Sequence, residues 1–270
     1  MNRPSTNAPP KVPTLHTFAP RLLIWSMIAL LVGPFLLLPI RIFADEWRAP
    51  NIIPQRFGLR GINRVLQDGQ LVDAVTNSII VASAAAIIGV LVAWPAARSL
   101  AALNAARTAW LAILLPLLLP PLVVGEGLRV WFLRVGLADS LAGLVLAHLV
   151  FVLPYCILIL APGFTPELLR RESAAMVLTG NLSQRFFSVT LPALRRQLAL
   201  ALALGFTISW AQYGTSLGVG GGVPMLPLLL VPFIRSDPQV AAVLDVILIV
   251  PPLVALALSQ SRRAQQSLPI

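Results

Sequence analysis

Apolar runs of membrane-crossing length alternate along this chain with segments that hold most of its charge. The first occupies about residues 22–40; about twenty residues at about 1.5 Å each cross the roughly 30 Å hydrocarbon core of a bilayer. The pattern predicts further spans at about 72–94, 108–127, 141–161, 198–213 and 240–258. The third holds Pro116, Pro120 and Pro121. Membrane helices accommodate proline where neighbours re-satisfy the backbone, so a kinked helix packed against protein is expected there. Between the spans lie a mixed-charge loop at 41–71, a short return loop at 95–107, and a glycine- and proline-broken stretch after Tyr213 that reads as an outer loop with a short surface helix. Residues 1–20, polar and holding five prolines, read as a disordered tail, 21–262 as the membrane domain and 263–270 as a second tail. A cleaved signal peptide competes for the first run, but that run exceeds the usual apolar region of about 7 to 15 residues and no small-x-small site is clear, so a retained helix is expected. The predicted fold is all-α, a polytopic membrane protein of six transmembrane helices.

Residues 165–197, TPELLRRESAAMVLTGNLSQRFFSVTLPALRRQ, form a polar segment between the fourth and fifth runs and carry five of the twenty basic residues. Thr165 can cap a helix, Pro166 suits its first position and Glu167 places a negative charge in its first turn. At a 3.6-residue period, Leu168, Leu169, Ala175, Met176 and Leu178 supply apolar surface, with Arg170, Arg171 and Glu172 expected together on the opposite side. Gly180 and Asn181 suit a left-handed turn, residues 182–189 can form a second short helix, and Pro192 is expected to interrupt the backbone before the next run. The pattern is a helical hairpin projecting from the membrane.

Composition agrees with a membrane class. At 57% hydrophobic and 11% charged residues, and a mean hydropathy of +0.85, there is too little polar surface to cover a soluble globule of 270 residues. The net charge of +10 is scattered among apolar runs without a basic, aromatic-interleaved patch, so nucleic acid is not an expected partner. With both termini inside, twelve basic residues fall in tails and inner loops against eight outside, and net charge divides as +10 inside and +1 outside. Trp25, Trp47, Trp94, Trp110, Trp131 and Trp210 all fall near predicted span ends, as headgroup anchors would. The single Cys156 excludes an intrachain disulfide or a cysteine metal site.

The hairpin resembles the signature cytoplasmic loop of permease subunits of bacterial ATP-binding-cassette importers, which reads roughly Glu-Ala-Ala, three residues, Gly, then a spacer ending in an aliphatic residue and Leu-Pro. Aligned on Leu191-Pro192, Ala174 and Ala175 take the alanine pair, Leu178 precedes the glycine position, and Phe186, Val189 and Thr190 match the usual spacer types. Ser173 stands where the family has glutamate and Thr179 where it has glycine, with Glu172 and Gly180 each displaced by one.

The resemblance implies that 165–180 is a coupling helix docking on a separate ATPase through Arg170, Arg171, Glu172, Ser173, Ala174, Ala175, Leu178, Thr179 and Gly180, with Leu191 and Pro192. Glu172 is then expected to pair with a base of that partner. It also implies two ATPase subunits that bind ATP and Mg, a second permease chain, identical or different, a periplasmic or extracellular solute-binding protein, and a multi-pass place in a bacterial inner membrane with both termini cytoplasmic. The run 137–160 resembles permeases of the polyamine, iron and thiamine type.

Other candidate chemistry is weaker. Gly214-Thr215-Ser216-Leu217-Gly218 fits a G-x-S-x-G elbow, but that motif needs a preceding strand and a following histidine, and His16 and His148 both come earlier; a glycine-rich turn is expected. His148 and Asp245 are the intramembrane polar candidates: a proton relay or a packed helix residue for the first, a pathway group or one reaching the outer headgroups for the second. The one lysine, Lys11, lies outside any P-loop pattern, so no nucleotide site of that kind, no catalytic residue and no metal site are expected in the chain. A secondary transporter would need intramembrane charge pairs or broken half-helices in two repeats, and a membrane enzyme would need convergent histidines, cysteines or paired carboxylates. Neither pattern is evident.

Overall fold

The computed structural model describes residues 18–102 and 107–264; most of the N-terminal tail and residues 265–270 of the C-terminal tail lie outside them. Among the described residues the regular structure is helical apart from one two-stranded antiparallel ribbon. In order come α1 (Phe18–Ile42), β1 (Ala44–Glu46), β2 (Arg56–Phe57), α2 (Arg60–Gln67), α3 (Gly69–Ala102), α4 (Arg107–Leu114), α5 (Pro121–Val135) and α6 (Leu141–Leu160). Then follow α7 (Pro166–Thr179), α8 (Leu182–Arg185), α9 (Leu191–Trp210), α10 (Gly214–Val219), α11 (Leu226–Ser236) and α12 (Pro238–Ala264). Among the described residues four helices are long and apolar enough to cross a membrane, or five if the bent pair 107–118 and 121–135 counts as one span.

The core is the meeting of α3, α6 and α9. Helix α3 presents a stripe of small buried residues, Ala74, Ala82, Ala85, Ala86, Gly89, Ala93 and Ala97, at the three- and four-residue spacing of one face. Such residues let helix backbones approach, which matters where lipid is as apolar as the side chains. A Cβ on Gly89 would lie 2.7 Å from Val152 Cγ1, and one on Gly205 of α9 would lie 3.2 Å from that methyl and 3.3 Å from Cys156 Sγ. The Cys156 thiol is directed at the Ala201 carbonyl, 3.7 Å away.

Several expected boundaries move. Helix α3 runs 34 residues, taking up Pro95 and Arg98, which the sequence placed in a loop. Pro95 removes only one backbone bond, and the packing of Ala93 and Ala97 carries the helix past it. The third run is not one continuous helix: it bends by 95° between 107–118 and 121–135. After a 3-10 turn at Leu115–Leu118, Leu119 and Pro120 are extended, with ψ of 138° and 129°. Residues that precede proline are driven out of the helical region, and here two prolines follow in succession.

Pro192 does not interrupt the backbone either. The path from α8 continues through a π-helical turn, Phe186–Thr190, into α9, where Pro192 occupies the first turn. A wider turn relieves the clash between a proline ring and the carbonyl four residues earlier. The GTSLG stretch is the helix α10 rather than a turn, and it is no surface helix: Thr215, Ser216, Gly218 and Val219 are buried against α5 and α6. Trp210 is 2% exposed and donates from Nε1 to the Leu248 carbonyl at 2.8 Å, so it is a core residue and not a headgroup anchor. Trp94 likewise lies inside α3, packed on Phe164.

Within the first expected outer loop, the ribbon and α2 fold onto the start of α12. Gln239 donates from Nε2 to the Ile42 carbonyl at 3.0 Å and to Asp45 Oδ1 at 2.7 Å. Asp237, just before α12, accepts from Arg60 Nη1 and Nη2 at 2.7 and 3.0 Å and from Arg64 Nη1 at 3.0 Å. Burial works against the Asp237 charge, yet the Arg60 hydrogen bond and charge, the Val240 amide and the Arg64 charge outweigh it and hold the carboxyl below its usual range.

A depressed folded-state pKa gives stability that is complete above the unfolded value and lost as pH falls through the folded one. Asp237→Asn is therefore expected to lower stability by about 1–2 kcal/mol near neutral pH, the two arginines being half exposed. In thermal unfolding of the purified chain, the gap between parent and variant should persist from about pH 8 to 5 and close only below about pH 4. A constant gap down to about pH 3 would exclude the carboxylate as its source.

Candidate functional site

The polar segment 165–197 folds as the expected helix, turn and helix. Thr165 Oγ1 accepts from the Leu168 amide at 3.2 Å and Pro166 opens α7. Gly180 ends it in the left-handed region at φ 58°, its amide reaching the Met176 carbonyl at 3.2 Å. Asn181 Oδ1 then caps α8 by accepting from the Ser183 and Gln184 amides.

The inner face of α7 differs from the expectation. Its buried side chains among the described residues are Leu168 and Glu172, which are 5% and 3% exposed and one turn apart. Glu172 thus parts from Arg170 and Arg171, which point outward; Arg171 pairs with Glu167 on the surface. Glu172 Oε2 accepts from Arg98 Nε at 3.1 Å, with Nη2 also at 3.1 Å, and Oε1 accepts from Thr190 Oγ1 at 2.7 Å. Its basic partner is therefore within the chain, near the C-terminal end of α3, where the sequence had suggested one on another polypeptide. A buried carboxylate must be paired and hydrogen-bonded, and both conditions are met here.

The outer face is apolar and open. Met176, Val177 and Leu178 are 56%, 84% and 83% exposed, joined by Leu182 and Phe187 beyond the turn. Arg170, Ser173 and Ala174 are also exposed, Ala175 is half-buried, and Thr179 closes the helix. Leu191 and Pro192 lie apart from this face, at the junction of the π turn with α9. An aromatic chain, Phe164 to Trp94 to Phe186 to Phe187, with centroids 5.2 to 5.4 Å apart, fixes the root of the hairpin to α3. Arg98, Thr190 and Trp94 carry this arrangement; the sequence reading left Arg98 in a loop, took Thr190 as a spacer residue and Trp94 as a headgroup anchor. Arg98 and Glu172 are 74 positions apart, and no local pattern joins them.

The intramembrane candidates separate. His148 is fully buried on α6 with Nδ1 at 2.7 Å from Ser209 Oγ and Nε2 at 3.0 Å from Ser216 Oγ, so it ties α6 to α9 and α10. The Ser216 hydroxyl donates to the Gln212 carbonyl, and its oxygen is left to accept from His148 Nε2–H, so Nδ1 accepts from Ser209. Asp245 lies half-buried on α12 and is not among the partners of His148. Among the described residues no three histidine, cysteine, aspartate or glutamate side chains group as a metal site.

No family model matches the chain. It is 35% identical over 113 residues to the inner membrane ABC transporter permease protein YnjC of Escherichia coli (strain K12), a match spanning 42% of this chain but about a fifth, 21%, of that protein. It is 32% identical to the molybdenum transport system permease protein ModB of Azotobacter vinelandii over 51% of this chain and 66% of the relative. Its fold is that of a chain in the crystal structure of a bacterial ABC transporter involved in the import of the acidic polysaccharide alginate, with a TM-score of 0.73 at 15% identity, covering 94% of this chain and 99% of that one. To the putative ABC transporter permease protein ORF1 of Streptomyces antibioticus it is 30% identical, over 60% of this chain and 71% of the relative. By that match the chain belongs to the ABC transporter permeases.

Proposed function

We propose that the chain is one half of the translocation pathway of an ATP-driven importer in a bacterial inner membrane. With six spans, the four long helices, the bent pair and α12, both termini lie on one side, and the excess of basic residues in the tails and inner loops favours the cytoplasm for that side. The hairpin 165–197 then lies on the cytoplasmic side and docks on a separate ATPase subunit. The observation that carries this reading is the open apolar face of α7, with Val177 and Leu178 more than four-fifths exposed in a segment otherwise rich in arginine. In water such a face is costly, and a partner groove covers it.

Arg170, Arg171, Ser173, Ala174, Ala175, Leu178, Thr179 and Gly180 form the docking surface, Leu191 and Pro192 set the return of the chain into the membrane, and Glu172 holds the helix from behind. Family membership supports two ATPase subunits that carry ATP and Mg, a second permease chain and an external binding protein as partners. For cargo, a small oxyanion stands beside the polyamine, iron and thiamine types, supported by the match over half of this chain to a relative named for molybdenum transport.

Val177→Glu with Leu178→Glu is expected to weaken co-purification with the partner ATPase at least about tenfold, by about 1.4 kcal/mol or more. The melting temperature of the isolated chain should stay within a degree or two of the parent, since surface changes rarely exceed about 0.5 kcal/mol. Assembly and transport at parental levels would remove the docking role. Sidedness is tested by single cysteines at Ile52 and Ser183, both exposed, in a Cys156→Ser background. Impermeant maleimide should label them from opposite faces of sealed vesicles, and labelling from one face would refute the six-span topology.

A further inference from the structure

Helix α7 touches the body of the protein through very little. Among its described side chains two are buried, Leu168 as an apolar anchor and Glu172 as a charged one, and they lie one turn apart. Leu168 belongs to the core around α6 and Phe164, close to where α7 begins. Glu172 is reached by two other elements at once: Arg98 from near the C-terminal end of α3 and Thr190 from the last residue of the π turn that feeds α9. The half of α7 beyond Glu172 carries the exposed Met176, Val177 and Leu178.

We infer that Arg98, Glu172 and Thr190 form the joint that passes movement of α7 to α3 and α9, and that they act as positioning residues for coupled transport. The inference rests on the docking role proposed above and adds the route by which the docked helix drives the spans. Helix α3 suits this task. It is one unbroken rod, packed on α6 and α9 through its alanine stripe, and near its far end Asn77 donates to the Pro224 carbonyl at 3.1 Å while Ser78 Oγ accepts from the Leu226 amide at 2.9 Å. Residues 78 and 98 are separated by about 30 Å of helix, the thickness of a bilayer core. A push on Glu172 therefore reaches the opposite side of the membrane through a single secondary-structure element.

A joint of this kind differs from a merely stabilising contact in what its loss changes. Glu172→Gln keeps the shape of the side chain and an acceptor for Thr190 but removes the charge that holds Arg98. In proteoliposomes with the partner ATPase, transport per ATP hydrolysed should fall about tenfold, and Arg98→Glu should do the same, while Arg98→Glu with Glu172→Arg should return to within about threefold of the parent. A contact that only stabilises the fold would lower the amount of assembled complex and leave that ratio alone. An unchanged ratio in both single variants, or a double variant no better than either, overturns the inference.

If the parent chain assembles with no ATPase, the docking proposal fails, and the joint is judged on the chain alone in nanodiscs. Spin labels at Leu91→Cys and Val177→Cys, both exposed, in a Cys156→Ser background should give a narrow distance distribution that broadens with Arg98→Ala. The same distribution with and without Arg98 would overturn the joint independently of any partner.

Discussion

Close approach of three helices is the constraint on which the rest depends. Water cannot drive helices together inside lipid, so contact has to come from shape, and Gly89, Val152 and Gly205 supply it where α3, α6 and α9 meet. Two polar attachments join these helices to the rest of the chain. The polar junction of His148, Ser209 and Ser216 joins α6 and α9 to the buried α10, and the Arg98 and Glu172 pair sits where α3 leaves the packed region. Widening any one contact by a side chain would move all of these attachments together.

Proline shapes the periphery of this bundle in three different ways. Pro95 is absorbed by a helix whose packing continues on both sides of it. Pro120 and Pro121, adjacent and preceded by a 3-10 turn, turn the chain through nearly a right angle. Pro192 falls between these extremes, accommodated by one wider turn that also places Thr190 beside Glu172. The same residue thus extends, breaks or re-registers a helix according to what packs around it.

Much of this was legible in the sequence. The fourth apolar run was expected at 141–161 and forms α6 over Leu141–Leu160, and the capping residues Thr165, Gly180 and Asn181 of the hairpin act as their chemistry dictates. These are local signals, carried by period, length and turn preference. What escaped depends on contacts distant in the chain. Nothing local says that Glu172 is paired, because its partners come from α3 and from the π turn; the helical period does put it about 40° from Leu168 and nearly opposite Arg170, a signal the sequence reading passed over. Tryptophan misled for the same reason: Trp210 and Trp94 fall near the ends of apolar runs, yet they are packed by α12 and by the root of the hairpin. GTSLG reads as a turn by composition, whereas its small residues serve the close packing of α10 on α5.

The setting of His148 bears on how the helices of the bundle keep their relative rotation. Both ring nitrogens are engaged by serine hydroxyls, one accepting and one donating, so the imidazole holds a single tautomer. A histidine held in this way is a structural pin. Rotating α6 against α9 and α10 would break both serine bonds at once, so one side chain sets the register of three helices.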